Sequence, residues 1–175
     1  MFWRRGRDRK RRGEVTGPEM RRELRSMALG LDAAAIRVAP TADLPRLFGL
    51  ITDMGYPEGS ATIVALADTT TSMYTSGGGG IIGGGEHEPV APANRRLLQV
   101  VEARLELFAP SDATDVPGAG RVRMTALTHA GRLVVEAPED DLGNRRHPAA
   151  PVFHAVHDGI TALREGEERA RSASS

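Results

Sequence analysis

The residues that could do chemistry gather in one stretch, Ser76 to Glu88. There Gly77, Gly78, Gly79, Gly80, Gly83, Gly84 and Gly85 flank the pair Ile81-Ile82 and run into Glu86-His87-Glu88. Glycines ahead of a helix can aim backbone N–H groups at a phosphate, with the helix dipole assisting. Two features oppose a phosphate loop of the familiar kind. No Gly-Lys-Ser/Thr follows, since Lys10 is the single lysine and the other 22 basic residues are arginine. Glu86 and Glu88 also stand between the glycines and the helix, where they repel an anion. The stretch therefore reads as a contact surface for a ligand or a partner's backbone, with the seven glycines, Glu86 and His87 as its residues.

Other chemistry finds less support. Glu86-His87-Glu88 with His147, His154 and His157 is the one metal constellation the sequence offers, and it lacks a His-Glu-x-x-His pattern. On a helix His157 would flank the apolar stripe and His154 would point to solvent. No cysteine is present, which excludes disulfides, thiolate nucleophiles and cysteine-ligated zinc. No Gly-x-Ser-x-Gly elbow supports a serine nucleophile. No catalytic residue, metal ligand or cofactor is assigned.

Composition bounds the rest. A chain of 175 residues with 40% hydrophobic content is one globular domain plus tails. The net charge of zero hides an asymmetry. Residues 1 to 25 hold ten basic and four acidic side chains of the 23 of each sign, leaving thirteen against nineteen, a body of −6. Residues 1–17 read as a disordered basic arm. Its residues 1–12, with Phe2 and Trp3 beside seven basic side chains, offer a weak contact to nucleic acid or anionic membrane. No apolar run is long enough to span a membrane or to follow the arm as a secretory core, so the expected compartment is the cytoplasm. Residues 18–166 form the domain and 167–175 a second disordered tail.

The elements that must position the glycine stretch follow from pattern. Pro18 opens a helix from Glu19 to Leu29, with Met20, Leu24, Met27 and Ala28 inward, Arg21, Arg22 and Arg25 outward, and Gly30 as its stop. Leu44, Leu47, Phe48 and Ile51 recur at helical spacing after Thr41 or Asp43, predicting a second helix that ends at Gly55 to Gly59. Ala61 to Ala67 is a short apolar run, the mark of a strand buried on both faces. Asp68-Thr69 turns it into a half-exposed strand, Thr70 to Ser76. Past the glycines, Pro92 to Phe108 is an amphipathic helix. Its stripe is Leu97, Leu98, Val101, Leu105 and Phe108, with Arg95, Glu102 and Glu106 opposite. Arg121 to Leu127 alternates and pairs with Arg132 to Ala137 across His129-Ala-Gly131. Pro138 to Ala150 is a loop whose Glu139-Asp140-Asp141 and Arg145-Arg146 neutralise each other. Ala150 to Glu165 closes the domain with Val152, Phe153, Val156, Ile160 and Leu163 inward.

Hairpins joined by helices predict a single α+β domain with an antiparallel sheet of four to five strands flanked by helices. In element order, residues 42–165 resemble the roadblock family of dynein-light-chain-like, profilin-like domains. The resemblance is carried by the apolar-then-polar strand pair Ala61 to Ser76 and the loop into the helix from Pro92. It implies a homodimerising scaffold that regulates a partner such as a small GTPase. The function expected is thus a non-enzymatic binding or regulatory domain, self-associating through protein–protein contacts. The alternative is a small-ligand or phosphate-binding protein, perhaps an enzyme, using Gly77 to Gly85 with Glu86 and His87.

Overall fold

Strand β1, Leu47–Tyr56, lies at the centre of the fold and is buried along nine of its ten residues. A computed structural model describes residues 17–81 and 89–175. Among these, seven strands form one antiparallel sheet in the order β4-β3-β2-β1-β6-β7-β5. The remaining strands are β2 (Gly59–Leu66), β3 (Thr71–Thr75), β4 (Gly80–Ile81), β5 (Ala109–Pro110), β6 (Arg121–Thr128) and β7 (Gly131–Pro138). The helices are α1 (Gly17–Leu29), α2 (Val90–Glu102), α3 (Glu139–Gly143) and α4 (Ala150–Ala173). The chain is a single α+β domain, as its pattern predicts.

Both faces of the sheet are covered. On one, Leu50, Ile63 and Met124 meet Leu97, Leu98 and Val101 of α2 and Val152, Phe153 and Val156 of α4. On the other, Phe48, Ile51, Val64 and Leu127 meet Ala28 and Leu29 of α1 and the segment through Ala33, Ile36 and Val38. Successive residues of β1 serve opposite cores, Leu50 the first and Ile51 the second.

That double burial explains the largest error of pattern reading. The expected helix over Leu44 to Gly55 is β1, and the spacing of Leu47, Phe48 and Ile51 is what any uninterrupted apolar run provides. Gly49 inside it lets Leu66 and Leu127 approach, since a Cβ there would meet their methyl groups at 2.8 and 3.1 Å. The element order behind the roadblock resemblance therefore opens on a strand where it needs a helix. The helix expected to end at Phe108 stops at Glu102, and Leu105–Leu107 form a 3-10 turn. Its apolar stripe is buried as expected, but so is Glu102. The carboxylate accepts from the backbone N–H groups of Arg46 and Leu47 and from Arg46 Nε, tying α2 to the start of β1. Residues 167–173, expected in a disordered tail, continue α4, whose exposed last turns carry the Arg171–Glu167 pair.

Among the described residues both sheet edges end in two-residue strands, one of them holding Pro110. No described helix is long and apolar enough to cross a membrane.

The far end of β1 is pressed against the strap 111–120. Gly120 N–H donates to Gly55 O at 2.9 Å, and a Cβ on Gly55 would lie 2.2 Å from Gly118 O and 2.4 Å from Pro117 O. Because both obstacles are backbone, Gly55→Ala should lower unfolding free energy by about 1–3 kcal/mol in urea titrations. Gly77→Ala, whose Cβ finds nothing nearer among the described residues than Thr75 Oγ1 at 4.0 Å, should stay near wild type.

Candidate functional site

Asp53 is the residue from which the site is built. It sits in β1 at 0% exposure, in a strand otherwise nearly all apolar. A carboxylate there must be met by cations and donors. α1 supplies them. Arg25 Nε and Nη2 donate to Asp53 Oδ1 and Oδ2, both at 2.9 Å, and Thr62 Oγ1 donates at 2.7 Å. Arg21 donates to Ser60 Oγ of β2.

α1 meets the sequence expectation only in part. Ala28 is buried, Leu24 packs on the core and Arg22 is exposed as expected, but Arg21 and Arg25 are buried too, at 6% and 7% exposure, while Met20 and Met27 are exposed at 41% and 67%. Hydrophobicity alone would face the methionines inward; the charge on Asp53 prevails.

Asp53 belongs to a polar row crossing five strands. The cross-strand partners run Tyr74, Thr62, Asp53, Arg123 and Glu136, all on the α1 face. The alternation read for Arg121 to Leu127 holds, but its second face is not solvent: Arg123 is 8% exposed and Thr125 1%. Arg123 Nε donates to Glu136 at 2.8 Å and Arg121 Nε to the same carboxylate at 2.6 Å. Burial pushes the Glu136 carboxyl up, but these two guanidinium donors outweigh it and hold it below its ordinary value. Burial likewise opposes the charge on Arg123, yet its bonds to Asp115 and Glu136 leave its pKa raised.

The same arginines fasten the strap. Arg25 donates to Thr114 O and, at 2.9 Å, to Asp115 O. Arg123 Nη1 donates to Asp115 O at 2.6 Å. Between strap and helix lies a cavity of about 570 Å3 lined by Arg21, Arg22, Arg25, Arg132, Thr114 and Asp115, with Leu29 and Val116 as apolar patches. None of its lining side chains among the described residues is aromatic. Arg25 is committed to Asp53 and the strap. Arg22 is exposed and forms no ion pair among the described residues. Arg132 approaches a carboxylate only at 3.8 Å, that of Asp112. Arg21 Nε is buried without an acceptor. Cationic groups thus exceed anionic ones here, on a domain whose body is negative.

Of the residues singled out from sequence, the described glycines Gly77 to Gly80 do not line this cavity. Gly83, Gly84, Gly85, Glu86 and His87 fall outside the described residues, as do Ile82, Glu88 and the arm 1–16. Gly77 to Gly80 close the β3–β4 hairpin: Gly78 N–H is taken by Thr75 O at 3.1 Å, Gly79 O accepts from Thr75 N–H, and Gly80 pairs with Tyr74. Gly78 also packs on Gly17, where a Cβ would lie 2.2 Å from its Cα. Among the described residues no three metal-ligating side chains come together. His157 is the exposed one of the last-helix pair, its ring 4.5 Å from Phe153, while His154 is half-buried with Nε2 unpartnered. The segment after β7, expected as a loop, begins with α3, whose Asp140 and Asp141 pair with Arg146 as the charge blocks predicted. Sequence reasoning missed Arg21, Arg22, Arg25, Asp53, Asp115, Arg123 and Arg132. Asp53 within Leu47 to Met54 was the available signal, because an apolar strand holding one carboxylate demands a cation.

No family model, curated protein or solved structure matches this chain.

Tyr74, at the end of the polar row, gives the site a measurable signature. Burial, with the Asp53 charge behind it, pushes its phenol from the ordinary 10.0 up to about 12. A raised pKa stabilises fully below the unfolded value and loses that contribution as pH rises through the folded one. Unfolding free energy should therefore fall between pH 10 and 12. Tyr74→Phe should flatten that part of the decline, and the wild-type phenolate absorbance should show a late-titrating tyrosine.

Proposed function

We propose that the chain is a non-enzymatic binding domain that captures an anionic group in the arginine cavity between α1 and the strap 111–120. The observation that carries this is the gathering of Arg21, Arg22, Arg25 and Arg132 around one cavity of about 570 Å3, with Asp115 the one carboxylate in its lining among the described residues. Its volume lies within the range of ligand pockets, roughly 300–1,000 Å3. Guanidinium groups bind oxyanions through paired donors, and the fixed strap and helix supply preorganisation. The binding reading is thus kept from the sequence, while its site moves from the glycine stretch to the arginines.

The test is calorimetric titration with inorganic pyrophosphate. Arg22→Gln with Arg132→Gln should weaken binding at least about tenfold, since a charge-assisted hydrogen bond contributes roughly 1.5–3 kcal/mol. Arg22 is exposed and Arg132 half-exposed, so the melting temperature should stay within a few degrees of wild type. Unchanged affinity in that double variant would contradict the assignment.

A further inference from the structure

The cavity already holds an anion of its own. Asp115 lines it with a side chain 73% exposed, and its two carboxylate oxygens accept from Arg123 at 3.0 Å (Nη1) and 3.4 Å (Nη2). That hydrogen bond and the Arg123 charge hold its carboxyl below the usual carboxylate range. The two partners differ in how firmly they are placed. Arg123 is buried and stays anchored to Glu136 and to the Asp115 carbonyl whatever the carboxylate does. Among the described residues the Asp115 carboxylate meets no other side chain in a hydrogen bond. The strap backbone is held separately, through Thr114 O and Asp115 O, so rotation about χ1 frees the carboxylate without moving the cavity wall.

This arrangement constrains the ligand. A ligand carboxylate would exchange one charge and two oxygens for the same, against a competitor tethered at high effective concentration. A phosphoryl group brings a third oxygen and close to a second charge, so it can match the Arg123 fork and keep an oxygen for a further guanidinium. Among the described residues no aromatic side chain lines the cavity to stack on a ring.

Building on the anion-binding reading, we propose that Asp115 is the site's resident counter-ion. The ligand carries a phosphoryl or pyrophosphoryl group that displaces Asp115 from Arg123 and is held jointly by Arg123, Arg22 and Arg132.

Calorimetry on the full chain tests this with inorganic pyrophosphate and with acetate, for wild type, Asp115→Asn, Arg123→Gln and the double variant. Asp115→Asn keeps the strap carbonyls and should tighten pyrophosphate at least about fivefold. The gain should vanish in the Arg123→Gln background, and acetate should compete poorly. Melting temperatures report folding. Should Arg123→Gln not fold, Asp115→Ala must reproduce the gain of Asp115→Asn. Pyrophosphate binding by wild type with equal or weaker binding by Asp115→Asn would overturn the counter-ion role and leave the anion site standing. A gain that persists without Arg123 would reduce it to a distant field effect and overturn it equally. Acetate that competes as well as pyrophosphate would overturn the ligand class. Absence of pyrophosphate binding in both wild type and Asp115→Asn would overturn the anion-binding reading itself.

Discussion

One ion pair decides how this domain is assembled: Arg25 on Asp53. Asp53 lies in the central strand with no exposure, and Arg25 meets both of its oxygens at 2.9 Å. A buried carboxylate without a partner is expensive, so the helix that covers this face must present a cation. α1 does so and thereby exposes Met20 and Met27. The remaining donors of Arg25 then fix Thr114 and Asp115, which makes the strap a wall. The cavity is thus a consequence of satisfying Asp53. Apolar packing on this face is modest, resting on Ala28, Leu29 and Ala33 against four strands. On the opposite face two long helices pack through leucine, valine and phenylalanine.

Charge along the α1 face alternates in a way that leaves a remainder. Asp53 answers Arg25, and Glu136 answers both Arg121 and Arg123. Asp115 answers Arg123 a second time. Arg21, Arg22 and Arg132 have no hydrogen-bonded carboxylate among the described residues, and these three line the cavity. The row is buried in its middle and open at its strap end, so its interior gives rigidity and its exposed end gives a binding surface.

Where the sequence was legible, one face of an element was apolar and the other polar. Val122, Met124 and Ala126 alternate with Arg121, Arg123 and Thr125, and the stripes of α2 and α4 are buried where spacing places them. It was illegible where tertiary charge overrode that rule. Leu47 to Tyr56 is buried on both faces and carries no period that separates strand from helix. Arg21, Arg25 and Glu102 are buried because particular partners await them on distant segments, 28 residues away for Arg25 and Asp53 and 55 for Glu102 and Leu47. No local pattern encodes such a pairing. The candidate site inherits that difficulty, since its residues come from α1, β6, β7 and the strap. The glycine stretch drew notice through its composition, whereas its described part closes an edge hairpin.

Arg25 and Asp53 act as one unit, and a double-mutant cycle measures that directly. Urea unfolding of Arg25→Met, Asp53→Asn and the double variant is the measurement. Each single change should cost about 3–5 kcal/mol, because it strands a buried charge or polar group. The double change should cost at least about 2 kcal/mol less than the sum of the two. Single costs below about 1 kcal/mol that simply add would show that α1 is held by other contacts, and the cavity would lose its physical basis.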